Sequence, residues 1–414
     1  MNILVLNAGS SSQKSCLYGL DDSFATPKAS RLPAEPIPPL WEGSIDWTYP
    51  AGAATIKVKT AKGTGWQQTI HDRDQPKVLQ QLLNTLWQGE TQVIADPSAI
   101  AIVGHRVVHG GQRYRASTWI TDEVKQAIAD FAEFAPVHNP ANFQGIVAIE
   151  QILGPSVPQV AVFDTAFHAD IPPTAATYAI PYELYQQGIR KYGFHGISHQ
   201  SVAERAAHCL GRDLADLRLI TCHLGNGCSL AAIAHGRCVD TTMGFTPLAG
   251  LMMGARSGDI DPGILLHLLR HHGYTVDDLD RLLNQESGLK GVSGLSNDLR
   301  QIRAAIATGH ERAQLAYDLY IYRLRTEISA LLPALGGLDA LVFTAGVGEN
   351  SVEVRADVCA GLAFLGLRLD HDRNAQNLKD VSLATPDSTV DVLAIHTEED
   401  WAIAQACWQL AHAS

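Results

Sequence analysis

Residues 2–14 read Asn-Ile-Leu-Val-Leu-Asn-Ala-Gly-Ser-Ser-Ser-Gln-Lys, an apolar strand that runs into a small, hydroxyl-rich turn carrying one lysine. Residues 217–229 repeat this plan as Leu-Arg-Leu-Ile-Thr-Cys-His-Leu-Gly-Asn-Gly-Cys-Ser, and strand-like runs follow at 15–20 and 230–234. Small residues let backbone N–H groups approach an anion closely, and hydroxyl and amide groups add donors. Two such hairpins facing each other across a cleft would grip a polyphosphate, which predicts a nucleotide-dependent phosphotransferase.

Composition limits the class of protein. The chain has 414 residues, which is too long for one ordinary core and predicts two domains. A formal net charge of −12 disfavours nucleic acid or an anionic membrane as the main partner. No signal peptide and no membrane span is visible. The seven scattered cysteines predict buried thiols in a reducing cytoplasm, and their spacing does not suit zinc.

Strand-like and helical segments alternate along the chain, which predicts α/β layers with parallel strands and two related halves that each begin βββ. The strands are expected at 3–6, 99–108, 159–163, 217–223, 340–344 and 390–395. The helices are expected at 77–87, 122–134, 142–153, 199–210, 263–272, 312–335 and 352–365, and Thr275 with Asp278 predicts a capping box. The proline-rich stretch 24–44 is expected to be an ordered surface loop.

Polar residues gather where the predicted strands end, which is the edge at which open α/β sheets bind ligands. Arg106 lies in a strand that ends in glycines, and Asp164 follows the strand at 159–163. His195 lies in Tyr-Gly-Phe-His-Gly, and Arg256 follows a glycine-rich stretch. The arginines and the histidine supply cations for oxyanions, and the aspartate suits a metal or the orientation of a nucleophile. No P-loop motif and no Gly-x-Gly-x-x-Gly after a strand is present.

Two further patches suggest a nucleotide. Residues 343–350 read as a strand, a glycine turn and a helix, and residues 296–300 open a helix with polar groups. His267, His271 and His272 have helical spacing, but no carboxylate completes a metal pattern, so a surface position is expected.

Seven blocks in order, taken together, resemble the acetate kinase family over nearly the whole chain. They are Asn-Ala-Gly-Ser-Ser-Ser-x-Lys at 7–14, His-Arg-Val-Val-His-Gly-Gly at 105–111, Phe-Asp-Thr-Ala-Phe-His at 163–168, Tyr-Gly-Phe-His-Gly at 192–196, His-Leu-Gly-Asn-Gly at 223–227, the stretch 240–261 and Thr-Ala-Gly-Val-Gly-Glu-Asn at 344–350. The resemblance implies two actin-like ATPase (ribonuclease H-like) α/β domains flanking a nucleotide cleft, with residues 1–165 and 399–414 in one and 166–398 in the other.

The resemblance also implies an activity: reversible, direct in-line transfer of a phosphoryl group from ATP to acetate, giving acetyl phosphate and ADP. It implies Mg²⁺ or Mn²⁺ as cofactor and a homodimer. Three alternatives stay open: a propionate or butyrate kinase on the same scaffold, an actin- or chaperone-like ATPase without an acyl acceptor, and an inactive nucleotide sensor. One methylene in an apolar pocket changes specificity by only about 1–3 kcal/mol, so the sequence does not decide the acyl chain length.

Site residues follow from the same resemblance. It implies that Arg106 holds the substrate carboxylate and that Asp164 is the essential carboxylate. His195 and Arg256 would stabilise the transferring phosphoryl group, and Asn226 would belong to the catalytic set. The small apolar pocket for the acyl group would comprise Val108, Val137, Phe194 and Pro247.

For the nucleotide, the resemblance implies phosphate contacts from Ser10, Ser12, Lys14, His223, Leu224, Gly225, Asn226 and Gly227. The adenosine site would comprise Asp298, Leu299, Arg300, Gly346, Val347, Gly348, Glu349 and Asn350. Asn7 and Glu399 would lie near the metal, although the run Thr397-Glu398-Glu399-Asp400 leaves open which glutamate serves it.

Overall fold

The chain divides into two compact units in the computed structural model, which describes residues 1–9, 12–20, 32–47, 53–72, 74–136 and 138–413. The first unit comprises Met1–Ala166 and Glu398–Ser414, and the second comprises Phe167–Thr397.

The first unit is built on a mixed sheet of eight strands in its described part, in the order β5-β4-β3-β2-β1-β6-β8-β7. The strands are β1 (Asn2–Ala8), β2 (Ser12–Gly19), β3 (Trp41–Asp46), β4 (Ala54–Thr60), β5 (Gly65–Ile70), β6 (Ile100–Val107), β7 (Thr118–Trp119) and β8 (Gln159–Phe163). Its helices are α1 (Gln75–Asn84), α2 (Asp122–Asp130), α3 (Asn139–Leu153) and α15 (Glu399–Ala411).

Strands β1 to β5 form an antiparallel meander, whereas β1, β6 and β8 pair in parallel. Strand β1 is apolar because both of its neighbouring layers cover it. Leu4 and Leu6 belong to a core that also contains Leu82 of α1 and Ile149 of α3, and α15 packs on β1 and β6. Because β1, β6 and β8 run in the same direction, their carboxyl ends lie at one edge of this sheet.

The second unit has a mixed sheet of six strands, in the order β11-β10-β9-β12-β14-β13. The strands are β9 (Arg218–Leu224), β10 (Cys228–Ala234), β11 (Arg237–Thr241), β12 (Ala340–Thr344), β13 (Val381–Ser382) and β14 (Asp391–Ala394). The helices are α4 (Pro173–Ala176), α5 (Tyr182–Gln186), α6 (Gly196–Leu210), α7 (Pro262–His271), α8 (Val276–Gln285), α9 (Gly288–Ser293), α10 (Leu299–Ile306), α11 (Glu311–Leu335), α12 (Ala345–Asn350), α13 (Val352–Gly361) and α14 (His371–Ala375).

The two sheets share one plan, which confirms the predicted α/β class. Strands β9, β10 and β11 are antiparallel neighbours, as are β1, β2 and β3. Strand β9 then pairs in parallel with β12, and β12 with β14. The predicted capping box is also present, since Thr275 and Asp278 satisfy each other's backbone N–H groups.

The sequence pattern missed the meander between Trp41 and Ile70. These strands alternate buried and exposed residues instead of forming one apolar run, as in the burial of Ile56 and Val58 but not Lys57. Within the proline-rich stretch, residues 24–31 lie outside the described residues. Pro33 is ordered, because its carbonyl accepts hydrogen bonds from Trp401 Nε1 at 3.1 Å and Gln405 Nε2 at 2.7 Å.

Gly104 is the point at which α15 approaches β6, and its substitution tests that packing. A β-carbon at Gly104 would lie 2.6 Å from Cγ2 of Ile403 and from Sγ of Cys407. We therefore expect Gly104→Ala to destabilise the protein by about 1–3 kcal/mol through overpacking, measured by urea unfolding.

Gly145 of α3 is the matched control, because a β-carbon there would meet nothing within 4 Å. Gly145→Ala should stabilise the protein by roughly 0.5–1 kcal/mol through helix propensity. Equal effects of the two substitutions would contradict the close packing of α15 on β6.

Candidate active site

Arg106 and Asp164 form a buried ion pair at the ends of neighbouring parallel strands. Arg106 lies in β6, opposite Val162 of β8, and Asp164 directly follows β8. The Asp164 side chain is 1% exposed, and its Oδ2 accepts from Arg106 Nε at 3.1 Å and Nη2 at 2.6 Å. Burial by itself would lower the pKa of Arg106, but the charges of Asp164 and Glu399 raise it above its ordinary value. Arg106, predicted to hold the substrate carboxylate, and Asp164, predicted to be the essential carboxylate, are thus in direct contact.

Asn7 brings two further carboxylates to the same edge. Its Nδ2 donates to Glu399 Oε2 at 3.1 Å and to Asp400 Oδ1 at 3.0 Å, both in the first turn of α15. Of the two glutamates that the sequence left open, Glu399 is therefore the one that Asn7 contacts. Asp400 was not predicted, although it stands in the acidic run that includes Glu398 and Glu399; burial raises its pKa.

The donor set around Asn7 fits a hard divalent cation. Carboxylate and amide oxygens are the protein ligands that Mg²⁺ and Mn²⁺ prefer, and Mg²⁺ commonly takes only one or two carboxylates plus substrate phosphates. No group of three or more His, Cys, Asp or Glu side chains suited to a metal occurs among the described residues. Asn7 and Glu399 therefore suit a metal that phosphate oxygens help to hold.

The β1–β2 hairpin presents its lysine beside Asn7. Lys14 is the cross-strand partner of Asn7, and Ser12 is the exposed first residue of β2. The backbone N–H of Gly9 donates to the Ser12 carbonyl at 2.8 Å, which closes the turn. Ser10 lies outside the described residues.

In the second unit, residues 225–227 form the turn between β9 and β10, where Gly225 N donates to the Gly227 carbonyl at 3.0 Å. His223 and Leu224 are the buried last residues of β9. Gly227 lies between two of the predicted site residues: a β-carbon there would lie 3.6 Å from His195 Nε2 and 3.7 Å from Arg256 Nη1, in ordinary van der Waals contact with both. The structure therefore brings His195 and Arg256 together beside this turn.

His195 is held in an uncommon backbone conformation. It precedes α6 with φ of 55° and ψ of 25°, in the left-handed region that non-glycine residues rarely adopt. Its ring stacks on that of His223 at a centroid distance of 4.1 Å. Arg256 donates from Nη1 to the Pro247 carbonyl at 3.2 Å, and burial lowers its pKa.

A cavity of about 790 Å³ in the second unit gathers most of the residues predicted for adenosine. Six of the eight residues predicted for adenosine line it, together with Gly225 and Asn226, which are predicted for the phosphates; the six are Asp298, Leu299, Arg300, Gly346, Val347 and Asn350. The sequence missed others, including Asn297, Arg303, Tyr320 and Glu353. Arg303 and Glu353 form an ion pair there, and this pair has no local sequence signal because the two residues lie on different helices.

Asp298 opens α10 as its N-cap, accepting from Arg300 N at 2.9 Å. The Arg300 side chain is exposed and turns back onto Asp298, with Nη2 to Oδ2 at 2.6 Å. The predicted opening of a helix at 296–300 is therefore confirmed.

The predicted glycine turn after β12 is wrong. Helix α12 begins directly at Ala345, whose φ is 63°, and Gly346 and Gly348 lie inside it. Gly348 and Glu349 are buried and are not among the residues that line the cavity.

Glu349 fixes α12 to the end of the second unit. Its Oε1 accepts from Thr397 N at 2.9 Å, and its Oε2 accepts from His396 Nδ1 at 2.6 Å and Lys379 Nζ at 3.4 Å. Burial alone would raise the pKa of Glu349, but the hydrogen bonds from His396 and Thr397 lower it to about 2.

The residues predicted for the acyl pocket occur in both units. Val108 is buried in the first unit, where its N–H donates to Asn142 Oδ1 at 3.1 Å. Phe194 is buried in the second unit, and Pro247 holds Arg256 there. Val137 lies outside the described residues.

Two sequence predictions about surface and burial can be checked. His267, His271 and His272 are exposed, as predicted. Six cysteines are buried and unpaired, but Cys209, near the end of α6, is exposed, so its predicted burial is wrong.

Within the described residues, none of the helices combines the length and apolar character needed to cross a membrane.

Guanidinium and carboxylate groups at strand ends, beside two glycine-containing hairpins, supply the positioning and charge neutralisation that a phosphotransferase requires. The profile described as the acetokinase family matches residues 2–405. The chain belongs to the acetokinase family.

Individual relatives are consistent with this family assignment. The chain is 62% identical to an acetate kinase from Cyanothece sp. (99% of this chain, 98% of the relative) and 60% identical to one from Gloeobacter violaceus (99% of both). Among solved structures it is similar to Porphyromonas gingivalis acetate kinase, with a TM-score of 0.86 and 38% identity over 100% of both chains. A propionate kinase from Francisella tularensis also has a TM-score of 0.86, with 36% identity over 98% of both chains.

Because the hydrogen bonds to Glu349 lower its pKa in the folded protein, we expect the free energy of unfolding to depend on pH. The folded pKa of about 2 lies below the ordinary value of 4.5, so the unfolded chain takes up the proton first as the pH falls. The stabilisation is therefore complete above pH 4.5 and is lost as the pH falls towards 2. At about 1.4 kcal/mol per pKa unit, it amounts to roughly 3–4 kcal/mol.

We expect Glu349→Gln to lower the free energy of unfolding at pH 7 and to lose this deficit progressively below pH 4.5, as measured by urea unfolding across pH. Glu286→Gln is the control, because Glu286 is half exposed and pairs with Arg281 at 3.2 Å on the surface of the same unit. A deficit for Glu349→Gln that is constant from pH 7 to pH 3 would show that the carboxylate charge is not responsible.

Proposed function

We propose that this protein catalyses the reversible transfer of the γ-phosphoryl group of ATP to acetate, giving acetyl phosphate and ADP. The observation that carries this proposal is full-length identity of up to 62% to curated acetate kinases. The buried pair of Arg106 and Asp164 supports it, because a carboxylate acceptor in a protein of net charge −12 needs a local cation.

In the forward direction, an acetate oxygen attacks the γ-phosphorus, a new O–P bond forms, and the bond to the β,γ-bridging oxygen breaks to release ADP. Both reactants are anions, so positioning and charge neutralisation dominate the catalysis. Asp164 occupies two of the five N–H donors of Arg106, and the guanidinium offers the others in a planar fork that suits a carboxylate. We assign acetate to Arg106, and the transferring phosphoryl group to His195 and Arg256, with Asn226 beside them.

Asn7 and Glu399 would hold Mg²⁺ or Mn²⁺, with Asp400 behind them. The cation would neutralise phosphate charge and orient the transferring group. Ser10, Ser12, Lys14 and the stretch 223–227 would contact phosphates. The cavity next to α10 and α12 would receive adenosine, with Asp298 suited to the ribose hydroxyls.

The choice between acetate and propionate as acceptor is a separate question, because the structures of an acetate kinase and of a propionate kinase match this chain with the same TM-score. Val108, Val137, Phe194 and Pro247 are the residues proposed for the methyl group. Purified enzyme, ATP and a series of formate, acetate, propionate and butyrate should give acyl phosphate, trapped as hydroxamate, most efficiently with acetate.

Preference for acetate over propionate should be about 10–200-fold in kcat/KM, the range for one methylene. ATP hydrolysis without any carboxylate dependence would overturn the acyl kinase assignment and favour an ATPase without an acceptor. Higher kcat/KM for propionate would favour the propionate kinase alternative.

Arg106→Ala should raise the KM for acetate strongly and leave the Kd for ATP nearly unchanged, because the assigned contact is with the acceptor. Arg106→Lys should rescue the effect only in part, since an ammonium lacks the two-pronged donor. The control is Arg113→Ala, which removes a half-exposed arginine paired with Glu123 in the same unit. Steady-state rates and calorimetry distinguish the two effects, and an unchanged acetate KM in Arg106→Ala would contradict the assignment.

We also propose a homodimer formed through α7. This helix has no buried residue within its own unit, although it reads Pro-Gly-Ile-Leu-Leu-His-Leu-Leu-Arg-His. Ile264 and Leu266 are 47% and 49% exposed. An apolar helix whose side chains are left largely uncovered is typical of an interface. The reduced state of the cysteines, none of which forms a disulfide among the described residues, and the nucleotide substrate support the cytoplasmic location predicted from the sequence.

Ile264→Glu combined with Leu266→Glu should convert the dimer to a monomer, measured by light scattering after gel filtration, because charges on both chains would be buried against each other. Phe364→Glu is the matched control, since Phe364 is 75% exposed on a short helical turn outside α7. A dimer that survives the double substitution would exclude α7 as the interface.

A further inference from the structure

The ring of His195 is the first of four side chains in a hydrogen-bonded chain that leads into the interior of the second unit. His195 Nδ1 lies 2.8 Å from Ser229 Oγ, which in turn lies 2.8 Å from His199 Nε2. His199 Nδ1 lies 2.7 Å from Thr221 Oγ1. Ser229, His199 and Thr221 are each 0% exposed. The four side chains are hereafter called the histidine relay.

The elements of the fold place these side chains together. His195 is the N-cap residue of α6 and His199 lies near the start of that helix, and both rings reach Ser229 Oγ. Ser229 of β10 pairs in register with His223 of β9, and Thr221 lies two residues before His223 on the same face of the strand. The β9–β10 hairpin that closes at residues 225–227 therefore also carries both hydroxyl groups of the relay.

Counting donors and acceptors gives the relay a direction. Burial lowers the pKa of His199 well below its ordinary value, so this ring is neutral and carries one N–H. Thr221 has one hydroxyl proton, and among the described residues His199 Nδ1 is the hydrogen-bond partner of that hydroxyl. If Thr221 donates to His199 Nδ1, then His199 Nε2–H donates to Ser229, and the Ser229 hydroxyl donates to His195 Nδ1.

The opposite direction is less favourable. His199 Nδ1–H would then donate to Thr221, and the Thr221 hydroxyl proton would be buried without an acceptor in the described part of the unit. A buried donor without a partner is costly. In the favoured direction, every hydroxyl and ring proton of Thr221, His199 and Ser229 is satisfied.

We propose that Thr221, His199 and Ser229 are positioning residues that hold the neutral ring of His195 with its proton on Nε2. This nitrogen is the one that flanks Gly227 together with Arg256 Nη1. With the proton on Nε2 the ring donates to an oxyanion, whereas the other tautomer would present a lone pair and repel it. The catalytic consequence rests on the phosphoryl transfer proposed above, but the tautomer itself does not.

The tautomer can be read without turnover. Protein labelled with ¹⁵N in its histidines is examined by long-range ¹H–¹⁵N correlation above the titration range of His195, and the His195 signals are identified by their loss in His195→Gln. The expected pattern is a protonated Nε2 and an unprotonated Nδ1. A protonated Nδ1 with an unprotonated Nε2 in the wild-type protein would overturn the proposal.

Substitutions test the relay kinetically. Ser229→Ala removes the bridging hydroxyl and should lower kcat by at least about 10-fold, up to the roughly 10²–10³ of a lost oxyanion donor. The Kd for ADP should stay within about 2-fold of wild type, since the relay acts on the transferring group. His199→Gln keeps an N–H donor in the Nε2 position and should retain more kcat than His199→Asn, which does not reach Ser229.

Ser293→Ala is the matched control, because Ser293 is a buried serine of the same unit whose hydroxyl bonds only backbone groups. A kcat for Ser229→Ala equal to that of Ser293→Ala, with unchanged His195 signals, would overturn the proposal. Absence of acetate-dependent acyl phosphate in the wild-type protein would instead refute the proposed function, and the histidine spectrum would still report the tautomer.

Discussion

Parallel pairing of strands is the constraint on which the rest of the site depends. Because β1, β6 and β8 run in the same direction, their carboxyl ends meet at one edge, and Asn7, Arg106 and Asp164 come together there from distant parts of the sequence. Placing Asp164 at this edge buries a carboxylate, which is costly unless a cation is fixed beside it. Arg106 in the neighbouring strand meets this requirement. The parallel pairing of β6 with β8 therefore places the cation beside the buried carboxylate.

The buried ionisable groups around Arg106 and those around His199 are stabilised in different ways. In the first unit, the negative charges of Asp164, Glu399 and Asp400 raise the pKa of Arg106, so its guanidinium stays charged although it is buried. In the second unit, burial lowers the pKa of His168 to about 4 and that of His199 well below its ordinary value, so these rings stay neutral. Hydroxyl and carbonyl partners satisfy them instead of counter-charges. These two neutral rings add no positive charge near Arg256, the cation that lies next to the turn at residues 225–227.

Sequence reasoning succeeded where one short segment carries the whole signal. Strand β8 was predicted at its observed bounds because five buried residues in a row read clearly as a covered strand. It failed where the signal is distributed over distant segments. Asp400 became visible only through its contact with Asn7, and Ser229 gained significance only through two histidines that α6 brings to it. At α12, the two glycines suggested a turn, but both lie inside a helix that begins directly at Ala345.

Helix α15 belongs to the first unit although the ribosome synthesises it after the whole of the second unit. Until residues 398–413 emerge, the faces of β1 and β6 that α15 covers remain exposed, and the carboxylate of Glu399 is missing from the strand edge. The first unit therefore cannot finish folding during its own synthesis, whereas the second unit is complete before the last segment arrives. Nascent chains that stall or are cleaved before this segment would have apolar sheet surface for chaperones to bind and would not accumulate as partly active enzyme.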